Sequence, residues 1–170
     1  MWRLALLALF ALGCSPSNAP VRGPVDATLR GTGLSILGVA DALEALVARS
    51  ADSHADRQYA YQRVRAVPVA SAADALGRAI IAGRLAQISG LAAPGLVAEV
   101  ERYARRSAEL EPAFRAGAAQ RLLGTLYVMA PVALLAHGDS ETGLSLLQGV
   151  VRRFPDSLAP IPSARSLDGF

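Results

Sequence analysis

Residues 117–155 read GAAQRLLGTLYVMAPVALLAHGDSETGLSLLQGVVRRFP, and this stretch decides the fold. Apolar residues recur at three- and four-residue intervals on both sides of an apolar connector, residues 130–137, which Pro131 interrupts. We predict a helix over 113–129, a turn and helix cap at Gly138-Asp139-Ser140, and a last helix over 140–154. The predicted inner faces carry Phe114, Ala118, Leu122, Leu126 and Met129 in the first helix, and Leu144, Leu147, Val151 and Phe154 in the second.

Two spacings in this stretch match a known helical repeat. Leu123-Gly124-x-x-Tyr127 has the L-G-x2-Y pattern of a tetratricopeptide helix. Downstream, Gly143-x3-Leu147 and then Pro155 stand where that repeat places a small residue, a large residue and its closing proline. The stretch therefore resembles a tetratricopeptide-type helix pair with an enlarged loop, and Gly124 is predicted to allow close packing against a neighbouring helix.

A narrower resemblance begins at Arg121. The pattern R-x-L-G-x-L-Y-x-x-A-P, an apolar connector and then Gly-Asp resembles the lipoprotein T-component associated with some TRAP transporters, over roughly Pro94 to Pro155. Val100-x3-Ala104 and Pro112 repeat the spacings of the last helix, which favours stacked helix pairs. The expected fold class is all-α, with antiparallel helix pairs stacked as a short TPR-like α-solenoid over residues 25–155.

The composition narrows the function classes. Aromatic residues make up 5% of the chain, so the core must be built from Ala, Leu and Val, which favours close helix packing over a β-sandwich. The 17 basic residues are all arginines, and the net charge is +3. The arginines alternate with acidic residues along the chain, whereas a nucleic-acid surface needs a clustered basic stripe with stacking aromatics. We therefore expect no nucleic-acid partner.

The N-terminus is predicted to be a lipoprotein signal peptide, residues 1–14. Arg3 supplies the positive start, and the apolar run over 4–12 is too short to span a bilayer, which takes about 20 residues. Ala11-Leu12-Gly13-Cys14 resembles a lipobox, which implies lipidation of Cys14; a plain secretory signal is the alternative. Because Ser15 rather than aspartate follows, we expect an outer-membrane lipoprotein facing the periplasm, held by a Pro-rich tether over 15–24.

The segment between the tether and the last helix pair is predicted to contain four further helices. They cover 25–51, an exposed segment within 51–67, 69–91 and 94–110. The glycines of the first either allow close helix approach or break its first half. The third helix is expected to begin with Ser71 and Asp74 as a capping box, and its expected inner positions are Leu76, Ile80, Gly83 or Arg84 and Ile88. In the fourth helix the expected inner positions are Leu96, Val100, Tyr103 and Ser107, and Glu101 and Arg105 are expected to form a favourable i,i+4 ion pair.

Little in the sequence indicates catalysis, so we predict a protein that is not an enzyme and has no cofactor. Asp52, His54 and Asp56 have a spacing that points alternate side chains apart on a helix, so we expect a solvated cap rather than a metal site. Arg102 and Arg106 form either an anion-binding patch or a solvated face. The candidate ligand- or partner-binding residues lie around the connector: Arg121, Tyr127, His137 and Asp139.

Each of these four residues also has a structural interpretation. Arg121 would hold an anion, and Tyr127 would offer a flat surface and a hydroxyl; alternatively Tyr127 is a packing residue, Asp139 a helix cap, and Arg121 and His137 exposed side chains. A helical-repeat groove bordered in this way would accept an extended peptide or a small organic anion.

Two functions remain. The first is a lipid-anchored scaffold whose TPR-like surface binds an envelope protein. The second, implied by the T-component resemblance, is a TRAP transporter-associated accessory whose cavity receives a small organic ligand. An open groove or exposed end face favours the first, and a closed channel beside Val132 to Leu135 favours the second. The irregular tail predicted over 156–170 either folds back over the last helix or leaves that face to a partner.

Overall fold

The computed structural model describes residues 23–89 and 93–158, and this part of the chain is all-helical, as predicted. Six α-helices are present within it, together with three short 3-10 turns, and none of its residues lies in a β-strand. The helices are α1 (Ile36–Ala48), α2 (His54–Val64), α3 (Ala72–Ser89), α4 (Pro94–Leu110), α5 (Ala118–Met129) and α6 (Ser140–Arg153). The 3-10 turns are Ala27–Arg30, Val132–Leu134 and Pro155–Leu158.

The first predicted helix, 25–51, is wrong in its first half. A 3-10 turn capped by Asp26 occupies Ala27–Arg30, and α1 begins only at Ile36, after Ser35 caps it. Gly33 has a φ of +77°, a left-handed conformation that interrupts a right-handed helix. The guanidinium of Arg63 in α2 donates to the backbone carbonyls of Leu29 and Gly31, which precede this break. The glycines there break the helix, which was one of the two interpretations.

Helix α2 was predicted to be an exposed helix, but one side of it is buried. Ala60, Tyr61 and Val64 pack in the same core as α1 and α3. Asp56 is also buried, because its carboxylate accepts from the backbone N–H groups of Asp26 and Ser53 and from the Ser53 hydroxyl. This capping box uses the Asp56 charge to begin the helix, so the predicted solvated cap is wrong for that residue.

Helix α3 is the centre of the first four helices. It runs parallel to α1. Gly77 lies against Leu37, and Arg84 pairs with Glu44, so the contacts advance in the same direction along both helices. It runs antiparallel to α4, since its first residue, Ala72, accepts from the Ser107 hydroxyl at 2.9 Å near the other helix's end. Contacts between α3 and α2 are antiparallel as well.

The start of α3 is confirmed, but its predicted inner face is partly wrong. The Ser71 hydroxyl accepts from the backbone N–H of Asp74 at 3.1 Å, and the Asp74 carboxylate accepts from the backbone N–H of Ser71 at 3.1 Å. Ile88 is 42% exposed, whereas Arg78 is buried, donating to the Val64 carbonyl and the Glu99 carboxylate. Small residues make α3 buried on more than one side, so a single stripe described it poorly: Ala72, Ala75, Gly77, Ala79 and Ala82.

Helix α4 has the predicted bounds, whereas α5 begins at Ala118 instead of residue 113. Three successive residues, Arg115, Ala116 and Gly117, have φ between +47° and +73°, so the chain turns with the wrong hand for an α-helix. Arg121 bonds the Ala116 carbonyl at 2.6 Å and the Arg115 carbonyl at 3.4 Å. Those two bonds hold the turn that precedes α5.

Helices α5 and α6 form an antiparallel pair at very close range. A Cβ added to Gly124 would lie 2.9 Å from the Gly143 carbonyl oxygen, and one added to Gly143 would lie 2.7 Å from the Gly124 carbonyl oxygen. The predicted role of Gly124 in close packing is therefore confirmed. At the far end of the pair, Gly117 lies against the ring of Phe154.

The buried faces of α5 and α6 differ from the predicted ones because the two helices meet at glycines. Because α6 approaches α5 through Gly143, its buried side carries Gly143 and Val150, and Leu144 and Val151 are instead 52% and 47% exposed. On α5 the buried side chains are Ala119, Leu123 and Tyr127, and Met129 is 78% exposed. The predicted faces are therefore partly wrong, although Leu122 and Leu126 pack against the core of the first four helices, Leu147 lies against Gly124 and Phe154 lies against Gly117.

Beyond α6, the first residues of the predicted irregular tail belong to the 3-10 turn Pro155–Leu158. No helix within residues 23–89 and 93–158 combines the length and apolarity that crossing a membrane requires.

Candidate binding groove along α4

The site is organised by Glu101, a carboxylate on α4 that is 2% exposed. The Tyr127 hydroxyl donates to it at 2.9 Å, and the backbone N–H groups of Ala136 and His137 donate to it at 2.8 Å each. These four residues form what we call the Glu101 cluster. Glu101 was predicted to pair with Arg105, but the connector after α5 returns over α4, covers Glu101 and supplies its hydrogen-bond donors together with Tyr127.

The charge of Glu101 is stabilised where it lies. Burial works to raise the pKa of this carboxyl, but hydrogen bonds from the Ala136 N–H, the Tyr127 hydroxyl and the His137 N–H together hold the pKa below its usual range. The His137 ring adds to this effect, since its Nδ1 lies 3.3 Å from the carboxylate. Glu101 is thus an ionised anchor whose lone pairs are engaged by the connector.

Tyr127 acts as a buried packing residue that completes this anchor. Its ring lies against Gly138 and its Cβ lies against Gly143, and no larger side chain would fit at either glycine. Burial and the hydrogen bond to Glu101 raise the pKa of the Tyr127 hydroxyl to about 12, while the Arg105 guanidinium works in the opposite direction. Tyr127 is only 3% exposed, so it does not provide the flat ligand surface that was one interpretation of the sequence.

The structure does not bring the four predicted site residues into one site. Tyr127 and His137 meet at Glu101, and Asp139 caps α6 by accepting from the Thr142 N–H at 2.8 Å. That N–H bond also lowers the pKa of Asp139. Arg121 lies two turns before Tyr127 on α5 and is engaged by the turn at residues 115–117. Asp139 and Arg121 therefore have structural partners.

Beside the Glu101 cluster lies an open groove of about 640 Å³. Its floor is α4 from Ala98 to Glu109, and its side walls are Val69 on one side and Ala136 with His137 on the other. Arg102, Arg105 and Arg106 all line it, and we call this surface the arginine groove. The predicted patch at Arg102 and Arg106 is thus part of a concave surface bordered by the connector.

Tyr103 fixes the position of one of these arginines. The guanidinium carbon of Arg102 lies 4.6 Å from the centre of the Tyr103 ring, and that of Arg78 lies 4.8 Å from it. Two cations on one aromatic ring hold the ring and Arg102 together by cation–π attraction. The Nε of Arg78 is buried without a hydrogen-bond partner among the described residues, and this side chain's position over the ring accounts for its burial.

Sequence reasoning missed Glu101 and Arg105. Glu101 directly follows Val100 on a helix with a strong apolar stripe, and Tyr127 and the connector contact it across 26 to 36 residues of chain. No local period predicts such a contact. The one available signal was the concentration of three arginines within five residues, 102–106.

The other sequence candidates have simpler roles or lie elsewhere. Asp52 pairs with Arg57 at 2.5 Å and Asp56 caps α2, while His54 is exposed at the start of that helix. No group of three or more potential metal-ligating residues occurs in the described part of the chain. The predicted signal peptide with Cys14, nearly all of the tether, and the tail after Leu158 lie outside the described residues.

No family model matches this chain, and no curated protein matches it.

Proposed function

We propose that this is a non-enzymatic, lipid-anchored protein of the cell envelope that binds another protein through a TPR-like helical surface. The observation that carries the proposal is the arginine groove, which is open to solvent along α4 and bordered by the enlarged connector. An open groove is the geometry that favours a scaffold over an enclosed ligand channel.

The directions of the helices support TPR-like stacking. Parallel α1 and α3, with antiparallel neighbours between and after them, is the order that stacked helix pairs produce. Such stacking builds an extended surface from successive repeats, and binding surfaces of repeat proteins arise in this way.

The chemistry of the groove supports binding without catalysis. Its buried carboxylate, Glu101, is already engaged by the donors of the connector and Tyr127. The charged or titratable groups left facing the groove include three guanidiniums, which bind anions strongly but do not deprotonate in proteins, together with Glu109 and His137. A surface of this kind is suited to holding an anionic partner.

The alternative proposal, a TRAP transporter-associated accessory that handles a small organic ligand, has less support. It needs an enclosing cavity beside Val132 to Leu135. Val132 is 67% exposed there, and its neighbours Pro131 and Ala133 are exposed too. Genomic neighbourhood separates the two proposals, because permease and binding-protein genes alongside this one favour transport, whereas envelope-assembly genes favour the scaffold.

The anchor is tested by labelling. Cells that make the protein are grown with radioactive palmitate, and we expect label on the wild-type chain and none on the Cys14→Ser variant. Equal labelling of the two chains would remove the anchor from the proposal.

Partner binding is tested with a photo-reactive benzoylphenylalanine placed at Ala98, an exposed residue that lines the groove. The matched control has the same residue at Ala48, which is exposed on α1 and does not line the groove. In cells that make the protein, we expect a discrete cross-linked adduct from position 98 that is absent from position 48. The proposal fails if irradiation gives the same pattern at both positions.

A further inference from the structure

We propose that the arginine groove binds an extended, acidic segment of the partner protein, with carboxylates of that segment on Arg102 and Arg106. This inference rests on the proposed function, and it adds the chemistry of the partner. It is argued from the charge, shape and rigidity of the groove.

The charge of the groove is positive and available. Arg102 and Arg106 are exposed, and neither forms an ion pair with any residue that the structure describes. The negative charge of Glu101 is buried and engaged by the donors of its cluster, so it does not neutralise them. The exposed carboxylate of Glu109 also lines the groove, so three guanidiniums face one exposed carboxylate there. Guanidiniums bind carboxylates through two parallel N–H donors, which makes unpaired arginines in a concave site suited to acidic side chains.

The length of the groove fits an extended chain. From Ala98 to Glu109 its floor covers three turns of α4, or about 16 Å at 1.5 Å per residue. An extended peptide advances about 3.3 Å per residue, so about five residues fit along this floor. Arg102 and Arg106 lie one turn apart, about 6 Å, which matches alternate side chains on the same side of an extended segment.

Pre-organisation favours this binding. Arg102 is already held on the Tyr103 ring, so less side-chain freedom is lost when it binds a carboxylate. The opposite wall, Ala136 and His137, is fixed by the backbone bonds to Glu101. A rigid floor and wall with free guanidinium edges reduce the entropy lost on binding.

The same geometry disfavours a nucleic acid. Binding of single strands without sequence preference uses aromatic faces on which bases stack. The aromatic ring of the groove is Tyr103, and guanidiniums lie over it at 4.8 Å and 4.6 Å from its centre. Because those faces are covered, the groove offers charge without a stacking platform.

Fluorescence anisotropy with the full chain tests the inference. The probe is a fluorescein-labelled ten-residue peptide of alternating Glu and Ser, and the reference probe has Gln in place of Glu. We expect the Glu peptide to bind at least about tenfold more tightly, and its affinity to fall as salt rises. Equal binding of the two peptides overturns the proposal.

Matched variants assign the binding to this groove. The double variant Arg102→Gln with Arg106→Gln should weaken binding of the Glu peptide about tenfold. The control is Arg152→Gln with Arg153→Gln, which removes the same charge from exposed residues of α6 outside the groove. This control should change the affinity less than about twofold. Arg102→Glu with Arg106→Glu should instead favour a peptide of alternating Arg and Ser. Circular dichroism checks that each variant is folded. Equal loss in both Gln doubles overturns the assignment.

Two outcomes separate this inference from the proposed function. If the Ala98 position forms its adduct in cells but the Glu peptide does not bind, the groove binds a partner of other chemistry and only this inference fails. If position 98 gives no adduct beyond the position 48 control, the proposed function fails. Unlabelled oligonucleotide and unlabelled Glu peptide are also compared as competitors of the labelled peptide. If the oligonucleotide displaces the labelled peptide at the lower concentration, the groove is a nucleic-acid site and the inference is overturned.

Discussion

The α1–α4 region and the α5–α6 pair hold together by different means. The first has a broad aliphatic core to which all four helices and the Leu29 turn contribute. The second shares a smaller apolar cluster with α3 and α4, built around Leu123 and Tyr127, and Leu122 and Leu126 of α5 also pack against the first core. The glycine contact joins α5 to α6, and further attachments of the pair to the first region include the hydrogen bonds at Glu101 and the ion pair between Arg115, just before α5, and Asp41 of α1.

This difference shows where a binding surface can be built. Burial of apolar area is non-directional and tolerates small shifts, whereas a buried carboxylate fixes its donors within tenths of an ångström. The wall of the arginine groove belongs to the connector that Glu101 holds. The region with less apolar burial is therefore the one whose geometry is set by specific polar bonds.

The largest effect is expected from Glu101→Ala. This change leaves the buried Tyr127 hydroxyl and two connector N–H groups without their acceptor, and charge-assisted bonds of this kind are among the strongest in proteins. We expect a loss of about 4 kcal/mol in the free energy of unfolding, measured by urea denaturation. A loss below about 1 kcal/mol would mean that the connector is held by other contacts. Glu111→Ala, an exposed glutamate beyond the end of the same helix, is the control and should have little effect.

Close helix approach is tested next by alanine at three glycines. A Cβ at Gly77 would lie 2.9 Å from backbone atoms of Leu37, so Gly77→Ala should cost about 3 kcal/mol. Gly124→Ala should also cost about 3 kcal/mol, because its Cβ would lie 2.9 Å from the Gly143 carbonyl oxygen as well as against the Leu147 side chain. Gly149 has open space around it, and Gly149→Ala should stabilise α6 by about 0.5–1 kcal/mol. Equal thermal unfolding temperatures for all three variants would contradict the close helix approach at Gly77 and Gly124.

Acid should weaken the α5–α6 pair through Glu101. The folded pKa of Glu101 lies below its unfolded value, so its contribution to stability is complete above the unfolded pKa of about 4.3 and is lost as pH falls through the folded pKa. The Glu101→Gln variant, which does not titrate at this position, should lose less stability than the wild type between pH 5 and pH 2. Urea denaturation across this range measures both. Parallel pH profiles for the two proteins would exclude Glu101 as the source.

The smallest effect concerns the turn before α5. Ala116 has a φ of +53°, a conformation that costs a residue with a Cβ about 1 kcal/mol or more. Ala116→Gly should therefore raise the free energy of unfolding by up to about 1 kcal/mol, after the entropic cost of glycine. Ala45→Gly, an exposed site inside α1, should lower it by about 1 kcal/mol. The two Ala→Gly substitutions should therefore change the free energy of unfolding in opposite directions. Destabilisation at both sites would show that the backbone at Ala116 is not strained.

The fold could be predicted further than the site. Periodicity and caps identified α4 to the residue, and the Ser71–Asp74 capping box marked α3, because both signals are local. The faces of α5 and α6 were misassigned because glycine, which carries no hydrophobic signal, decides their contact. The buried role of Glu101 was not predicted, because two of its donors come from the connector and nothing local in the sequence indicates where that connector returns.

Amide hydrogen exchange measured residue by residue tests the central claim most directly, namely that Glu101 fixes the groove wall and the α5–α6 pair to α4. In wild type we expect amides of α5, α6 and residues 136–137 to be protected, by a smaller opening free energy than those of α3. In Glu101→Gln the opening free energy should fall in that region while α3 amides keep theirs. An equal fall in the opening free energy of α3 and α6 amides, or an unchanged opening free energy at residues 136–137, would contradict this role of Glu101.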